Sequence, residues 1–105
     1  MESRLEWVRR FSARGGKIVV GTDMPFGGLT IVRELELLME SGMTGSEAIY
    51  AATQGAADAL GNAGFVARIE VGAEASFILA DSDPGLDITT LRRPQGVFLK
   101  GRKTY

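Results

Sequence analysis

The chain of 105 residues contains no histidine and no cysteine. Without cysteine it forms no disulfide, thiolate zinc site, iron–sulfur cluster or cysteine nucleophile. Without histidine it has no Ser-His-Asp triad, no His-ligated metal and no side chain whose ordinary pKa lies near neutrality. An active site made wholly by this chain would be built from carboxylates, Lys, Arg, Tyr and hydroxyls. An excess of one charge is missing too: 12 Lys+Arg stand against 13 Asp+Glu, a net charge of −1. That balance opposes a nucleic-acid surface, which carries a basic excess. The pairs Arg9-Arg10 and Arg92-Arg93 are too few to make one. No segment approaches the roughly 20 apolar residues of a membrane-spanning helix. Glu2, Arg4, Glu6, Arg9 and Arg10 interrupt any apolar core of a signal peptide. The expectation is a cytoplasmic protein with neither nucleic-acid nor membrane partners.

What is present suits a small folded unit. Hydrophobic residues make up 45% of the chain, and chains of this size bury roughly two-thirds of the surface exposed when unfolded. Leu5, Val8 and Phe11 recur at helical spacing with Trp7 beside them, which predicts a first helix stopped by Gly15-Gly16. Lys17-Ile18-Val19-Val20 is a short β-branched run that predicts a strand buried on both faces. Gly21 to Gly28 reads as a loop. A helix is expected over Thr30–Ser41, with Ile31, Val32, Leu35, Leu38 and Met39 forming one stripe and Gly42 as its cap.

Thr44-Gly45-Ser46-Glu47 has capping-box spacing and opens a further helix expected to run to Leu60, ended by Gly61. Ala75–Ala80 and Val97–Leu99 predict strands, with a turn at Asp81–Gly85 and a hairpin turn at Gly101-Arg102. Helices and one apolar strand therefore precede a small antiparallel β unit. A lone strand of the buried parallel type cannot make a sheet, because its backbone edges need partners. The pattern is that of a piece of a larger α/β fold.

Few residues stand out as chemical. Asp23 follows the apolar run directly and is either a site carboxylate or a loop aspartate capping backbone amides near Gly27 and Gly28. Asp81, Asp83 and Asp87 cluster, but they lack an EF-hand pattern and surround Pro84-Gly85, so a solvated turn is expected. Gly27-Gly28 lacks the spacing and lysine of a phosphate loop and reads as a flexible turn.

In order and spacing, several segments resemble the amidohydrolase superfamily, in its imidazolonepropionase-like and prolidase-like branch. Gly15-Gly16-Lys17-Ile18-Val19-Val20-Gly21-Thr22-Asp23 resembles the last barrel strand of those enzymes. Arg33-Glu34-Leu35-Glu36-Leu37-Leu38, Ser41-Gly42-Met43-Thr44 and Glu47-Ala48-Ile49-Tyr50-Ala51-Ala52-Thr53 through Gly61 continue the likeness. Ile69-Glu70-Val71-Gly72 through Leu79 and Val97–Arg102 resemble the strands of the C-terminal small domain. The resemblance covers residues 15–103.

It implies an α/β fold that is a fragment of a (β/α)₈ barrel, its last strand and helices, followed by a small antiparallel β unit. Residues 1–62 would be the barrel end and 63–105 the strands of the small domain. The resemblance also implies metal-dependent hydrolysis of C–N bonds, with Asp23 as metal ligand or as the base that takes a proton from the attacking water. Zinc or another divalent metal is implied for full-length relatives, whereas no cofactor is expected in the isolated chain. The family's histidine ligands have no counterpart here. Two positions depart from the pattern. Val32 stands where many relatives carry histidine, and Ser76 where they carry the aspartate that anchors the small-domain junction.

Two functions are consistent with this: a C-terminal hydrolase fragment inactive by itself, or a non-catalytic interaction module built from the same fragment. In either case the exposed strand edges at Lys17–Gly21 and Phe77–Leu79 predict a homo-oligomer, a dimer or higher.

Overall fold

The computed structural model describes residues 3–21, 23, 27–61 and 66–105, with 27–29 by backbone only. Among them lie helices α1 (Arg4–Ala13), α2 (Gly27–Glu40), α3 (Gly45–Ala52) and α4 (Gln54–Ala59). Strands β1 (Phe77–Leu79), β2 (Gly96–Leu99) and β3 (Arg102–Lys103) follow, with a 3₁₀ turn at Ile88–Arg92 between β1 and β2.

Ser3 begins α1, its hydroxyl accepting the Glu6 N–H at 3.1 Å. Gly15 ends the segment in the left-handed region at φ +84°, which glycine enters without a Cβ clash. The expected stripe does not bury α1. None of its residues is buried, because α2 is the principal element packed against it. Trp7 and Phe11 instead stack on each other on the surface, their ring centroids 5.3 Å apart.

Helix α2 starts earlier than expected, at Gly27, so the two glycines read as a turn form its first residues. Its end follows expectation. Gly42 turns the chain at φ +117°, and the Met43 N–H reaches back to Leu38 O at 3.2 Å. The Ser41 hydroxyl, buried there, donates to the same carbonyl at 2.6 Å.

The capping box at α3 forms as its spacing predicts. Glu47 N–H donates to Thr44 Oγ1 at 3.1 Å, and Thr44 N–H donates to Glu47 Oε1 at 3.1 Å. The single helix expected to reach Leu60 is broken at Thr53, whose φ of −123° and ψ of −98° are not helical. Its hydroxyl bonds back to Ile49 O at 2.7 Å, an alternative to the next helical hydrogen bond that β-branched hydroxyl residues offer. The apolar side continues in phase across the break, so periodicity alone does not reveal it.

The three strands pair antiparallel in the order β1-β2-β3, so the small antiparallel unit is present. Phe77 faces Phe98, and their rings stack at 4.7 Å. The hairpin turn lies one residue before its expected position. Leu99 pairs with Arg102, leaving Lys100 (φ +51°) and Gly101 (φ +82°) as the central pair. Two successive positive φ values suit the right-handed twist of a two-residue hairpin.

Leu35, Ala48 and Ile88 form the buried core, drawn from α2, α3 and the 3₁₀ turn. Half-buried Val20, Leu38, Ile49 and Leu91 pack around it. Two approaches hold the turn region to the helices. Gly45 lies so close to Gly85 O that a Cβ there would collide with it, and Arg92 pairs with Glu36. The Asp81–Gly85 segment is a turn, as expected: Asp83 accepts the Gly85 N–H at 2.8 Å, and Asp87 accepts the Thr89 N–H at 3.1 Å.

The core is small for the chain. Accessible surface totals 7638 Å², against about 5,700 Å² for a typical folded monomer of this mass. No described helix is long and apolar enough to cross a membrane.

Candidate functional site

Asp23 lies beyond the run Lys17–Gly21, between α1 and α2, and is exposed to solvent. Its backbone is held at φ +51°, a left-handed conformation that aspartate adopts more readily than most residues. Residues 22 and 24–26, the rest of the loop predicted around it, lie outside the described residues.

The run leading to Asp23 is not a strand of a sheet, contrary to the sequence expectation. Ile18 and Val20 are half-buried, whereas Lys17, Val19 and Gly21 are exposed, so side chains alternate with the period of two that extended backbone gives. The Val20 N–H donates to Ala51 O at 3.3 Å, the one backbone hydrogen bond of this run among the described residues. Val20 thereby docks against the end of α3. Val19, expected inside, is 50% exposed. A strand needs a neighbouring backbone, and the described chain places a helix on one side and no strand on the other.

A groove of about 480 Å³ opens between Lys17–Val19 and the α3–α4 corner. Met43, Tyr50 and Ala51 line it together with Glu47 and Asp58. The Tyr50 hydroxyl donates to Asp58 Oδ2 at 3.3 Å, and Arg68 donates to Asp58 Oδ1 at 3.3 Å. Tyr50 packs over Gly55, where a Cβ would stand 2.8 Å from its ring. Sequence reasoning did not find this cluster. Tyr50 and Asp58 meet only because the helix breaks at Thr53, and no spacing rule for a continuous helix pairs residues eight apart. Asp23 does not line the groove.

The sequence departures also have positions. Val32 is 2% exposed, so a histidine at that position would be shut off from solvent in this chain. Ser76, just before β1, bonds to the β2–β3 turn. Its hydroxyl accepts the Lys100 N–H at 3.0 Å and donates to Glu74 at 2.8 Å. Among the described residues, no three of His, Cys, Asp or Glu converge to hold a metal ion.

Comparison with known proteins places this architecture. A Xaa-Pro dipeptidase structure with methionine bound in its active site superposes with a TM-score of 0.85 at 28% identity, over 94% of this chain and 25% of that one. A candidate prolidase from Bifidobacterium longum gives 0.84 at 31% identity, over 96% and 26%. Phenylurea hydrolase B gives 0.81 at 30% identity, over 92% and 26%. The chain thus spans about a quarter of the length of the solved structures it matches. No curated protein matches it. The sequence pattern of the amidohydrolase family is matched over residues 2–104. With that match across nearly the whole chain, and an α/β fold shared with amidohydrolase structures, the chain belongs to the amidohydrolase family.

Proposed function

We infer that the chain is the C-terminal portion of a hydrolase of C–N bonds, of dipeptide or cyclic-amide type, and that Asp23 is its contribution to the reacting centre. One observation carries this reading: Asp23 is exposed just past the end of an extended run, with its backbone in the left-handed region, in a chain matched to the family over residues 2–104. In this reading Lys17–Gly21 is the last strand of a (β/α)₈ barrel, and Asp23 lies at the C-terminal end where such barrels carry their active sites. The exposed Val19 and the sparse backbone bonding of the run fit a strand whose neighbours belong to other parts of a longer polypeptide.

An ionised carboxylate only accepts hydrogen bonds, so Asp23 suits the task of orienting a water and taking its proton. The water oxygen then bonds to the acyl carbon as the C–N bond breaks, and the proton held by Asp23 passes to the departing nitrogen. The described residues do not fit a resident divalent metal, because one carboxylate falls short of the four or more ligands such ions take. Ligands for a metal of the kind used by full-length relatives would come from other parts of a longer polypeptide, and the 105 residues alone are expected to be inactive.

A second reading of the same exposed surface is a non-catalytic interaction module. A chimera separates the two. Residues 2–104 replace the corresponding quarter of the Xaa-Pro dipeptidase, and hydrolysis of an Xaa-Pro dipeptide is measured. The hydrolase reading expects turnover that Asp23→Asn lowers by about 10²-fold or more, the usual contribution of a positioned general base. A folded chimera without turnover, beside an isolated chain with neither metal nor activity, supports the module. Stoichiometric zinc, manganese or iron on the isolated chain, lost in Asp23→Ala, excludes the inert module.

A further inference from the structure

In an unbroken helix the Ile49 carbonyl would accept the Thr53 N–H, and the Ala51 carbonyl the N–H of Gly55 four residues on. The α3–α4 corner breaks that pattern. The Thr53 N–H donates instead to Tyr50 O at 3.2 Å, and the Thr53 hydroxyl takes its place on Ile49 O at 2.7 Å. Ala51 O, at the open end of α3, accepts the Val20 N–H at 3.3 Å. Gly55 makes the corner possible, since a Cβ there would stand 2.9 Å from Tyr50 O and 2.8 Å from the Tyr50 ring.

We propose that Thr53 is a positioning residue for Asp23. By turning the helix it opens Ala51 O to the Val20 N–H, and that bond fixes the extended run whose continuation carries Asp23. The purpose of this arrangement rests on the reading of Asp23 as a site carboxylate, whereas its geometry does not. The leverage is short: Asp23 lies three residues beyond Val20, at most about 11 Å of extended chain. The bond to Ala51 is also the one backbone hydrogen bond of the run among the described residues. The Val20 side chain packs against the core of Leu35, Ala48 and Ile88, which sets its depth. Apolar contact is non-directional, so the register of the run along α3 falls to the hydrogen bond. Threonine suits the corner because its hydroxyl satisfies a carbonyl that the bend strips of its N–H.

The test is NMR on the isotopically labelled 105-residue chain. The native chain is expected to show a scalar coupling across the hydrogen bond from Val20 N to the Ala51 carbonyl carbon. A coupling from Gly55 N to that carbon in its place overturns the proposal, whether or not any variant folds. Thr53→Val keeps the shape and removes the hydroxyl. It is expected to straighten the corner, hand Ala51 O to the Gly55 N–H and speed amide exchange at Val20 about fivefold, as loss of one hydrogen bond does. The strong contact between the amide and α protons of Asp23, a signature of its left-handed backbone, is expected to weaken. Gly55→Ala is expected to act in the same direction through its clash with Tyr50, whereas Thr53→Ser keeps the hydroxyl and the native values. Unchanged exchange at Leu35 and Ala48 separates the effect from a general loss of stability. Native exchange at Val20 and a native Asp23 signature in folded Thr53→Val or Gly55→Ala overturn the positioning role. These readouts involve no turnover, so a chimera indifferent to Asp23→Asn would overturn the hydrolase reading alone.

Discussion

The Ser76 hydroxyl accepts the Lys100 N–H at 3.0 Å, joining the start of β1 to the β2–β3 turn across 24 residues. The same hydroxyl donates to Glu74 Oε2 at 2.8 Å, and the Gly101 N–H donates to Ala75 O at 2.8 Å beside it. A serine thus ties the start of β1 to the β2–β3 turn. It uses its proton as well as its lone pairs, which an ionised aspartate could not do.

Ser76→Ala removes both bonds and leaves the Lys100 N–H without its side-chain acceptor. A loss of about 1–2 kcal/mol in unfolding free energy is expected from urea denaturation. A change below about 0.3 kcal/mol would mean that water replaces the hydroxyl at no cost.

Lys100 itself is held at φ +51° next to Gly101. Lys100→Asn places there a residue that tolerates the left-handed region better, and a gain of about 0.5–1 kcal/mol is expected by the same measurement. The sign decides the matter: destabilisation would show that the lysine side chain contributes more than its backbone strain costs.

Leu35 is 3% exposed at the centre of the core, whereas Leu99 in β2 is more than half exposed. Leu35→Ala leaves a cavity between α2, α3 and the 3₁₀ turn and is expected to cost about 2–5 kcal/mol. Leu99→Ala is expected to cost well under half of that, because little area returns to water. Equal losses would show that Leu99 is covered in solution.

Glu36 receives Arg33 from its own helix and Arg92 from the 3₁₀ turn. These pairs are half-exposed, so Glu36→Gln is expected to cost about 1 kcal/mol and to lose most of that effect in 1 M salt. Persistence at high salt would indicate a structural role for the carboxylate beyond charge.

Much of the local structure was legible in the chain. The capping box at Thr44 and Glu47, the reversals at Gly15 and Gly42, and the turn at Asp83 are set by residues within five positions of one another, so spacing suffices to find them. Elements that depend on distant partners were not legible in the same way. The break at Thr53 is invisible to periodicity, because the apolar side continues through it. The 3₁₀ turn at Ile88 carries core packing without a helical repeat long enough to register. The placement of Asp23 directly after an apolar run could be read from the sequence, whereas its left-handed backbone could not.

The sequence by itself determined the family resemblance, the α/β order ending in antiparallel strands, and the absence of imidazole and thiolate chemistry, since these follow from residue identity and short-range spacing. Only the tertiary structure decided whether Lys17–Gly21 becomes a strand. Its β-branched residues make it extended, but ladder hydrogen bonds need a second backbone, and the described fold offers a helix instead. The same lack of a covering element leaves Trp7 and Phe11 stacked in solvent, where their helical spacing alone predicts burial.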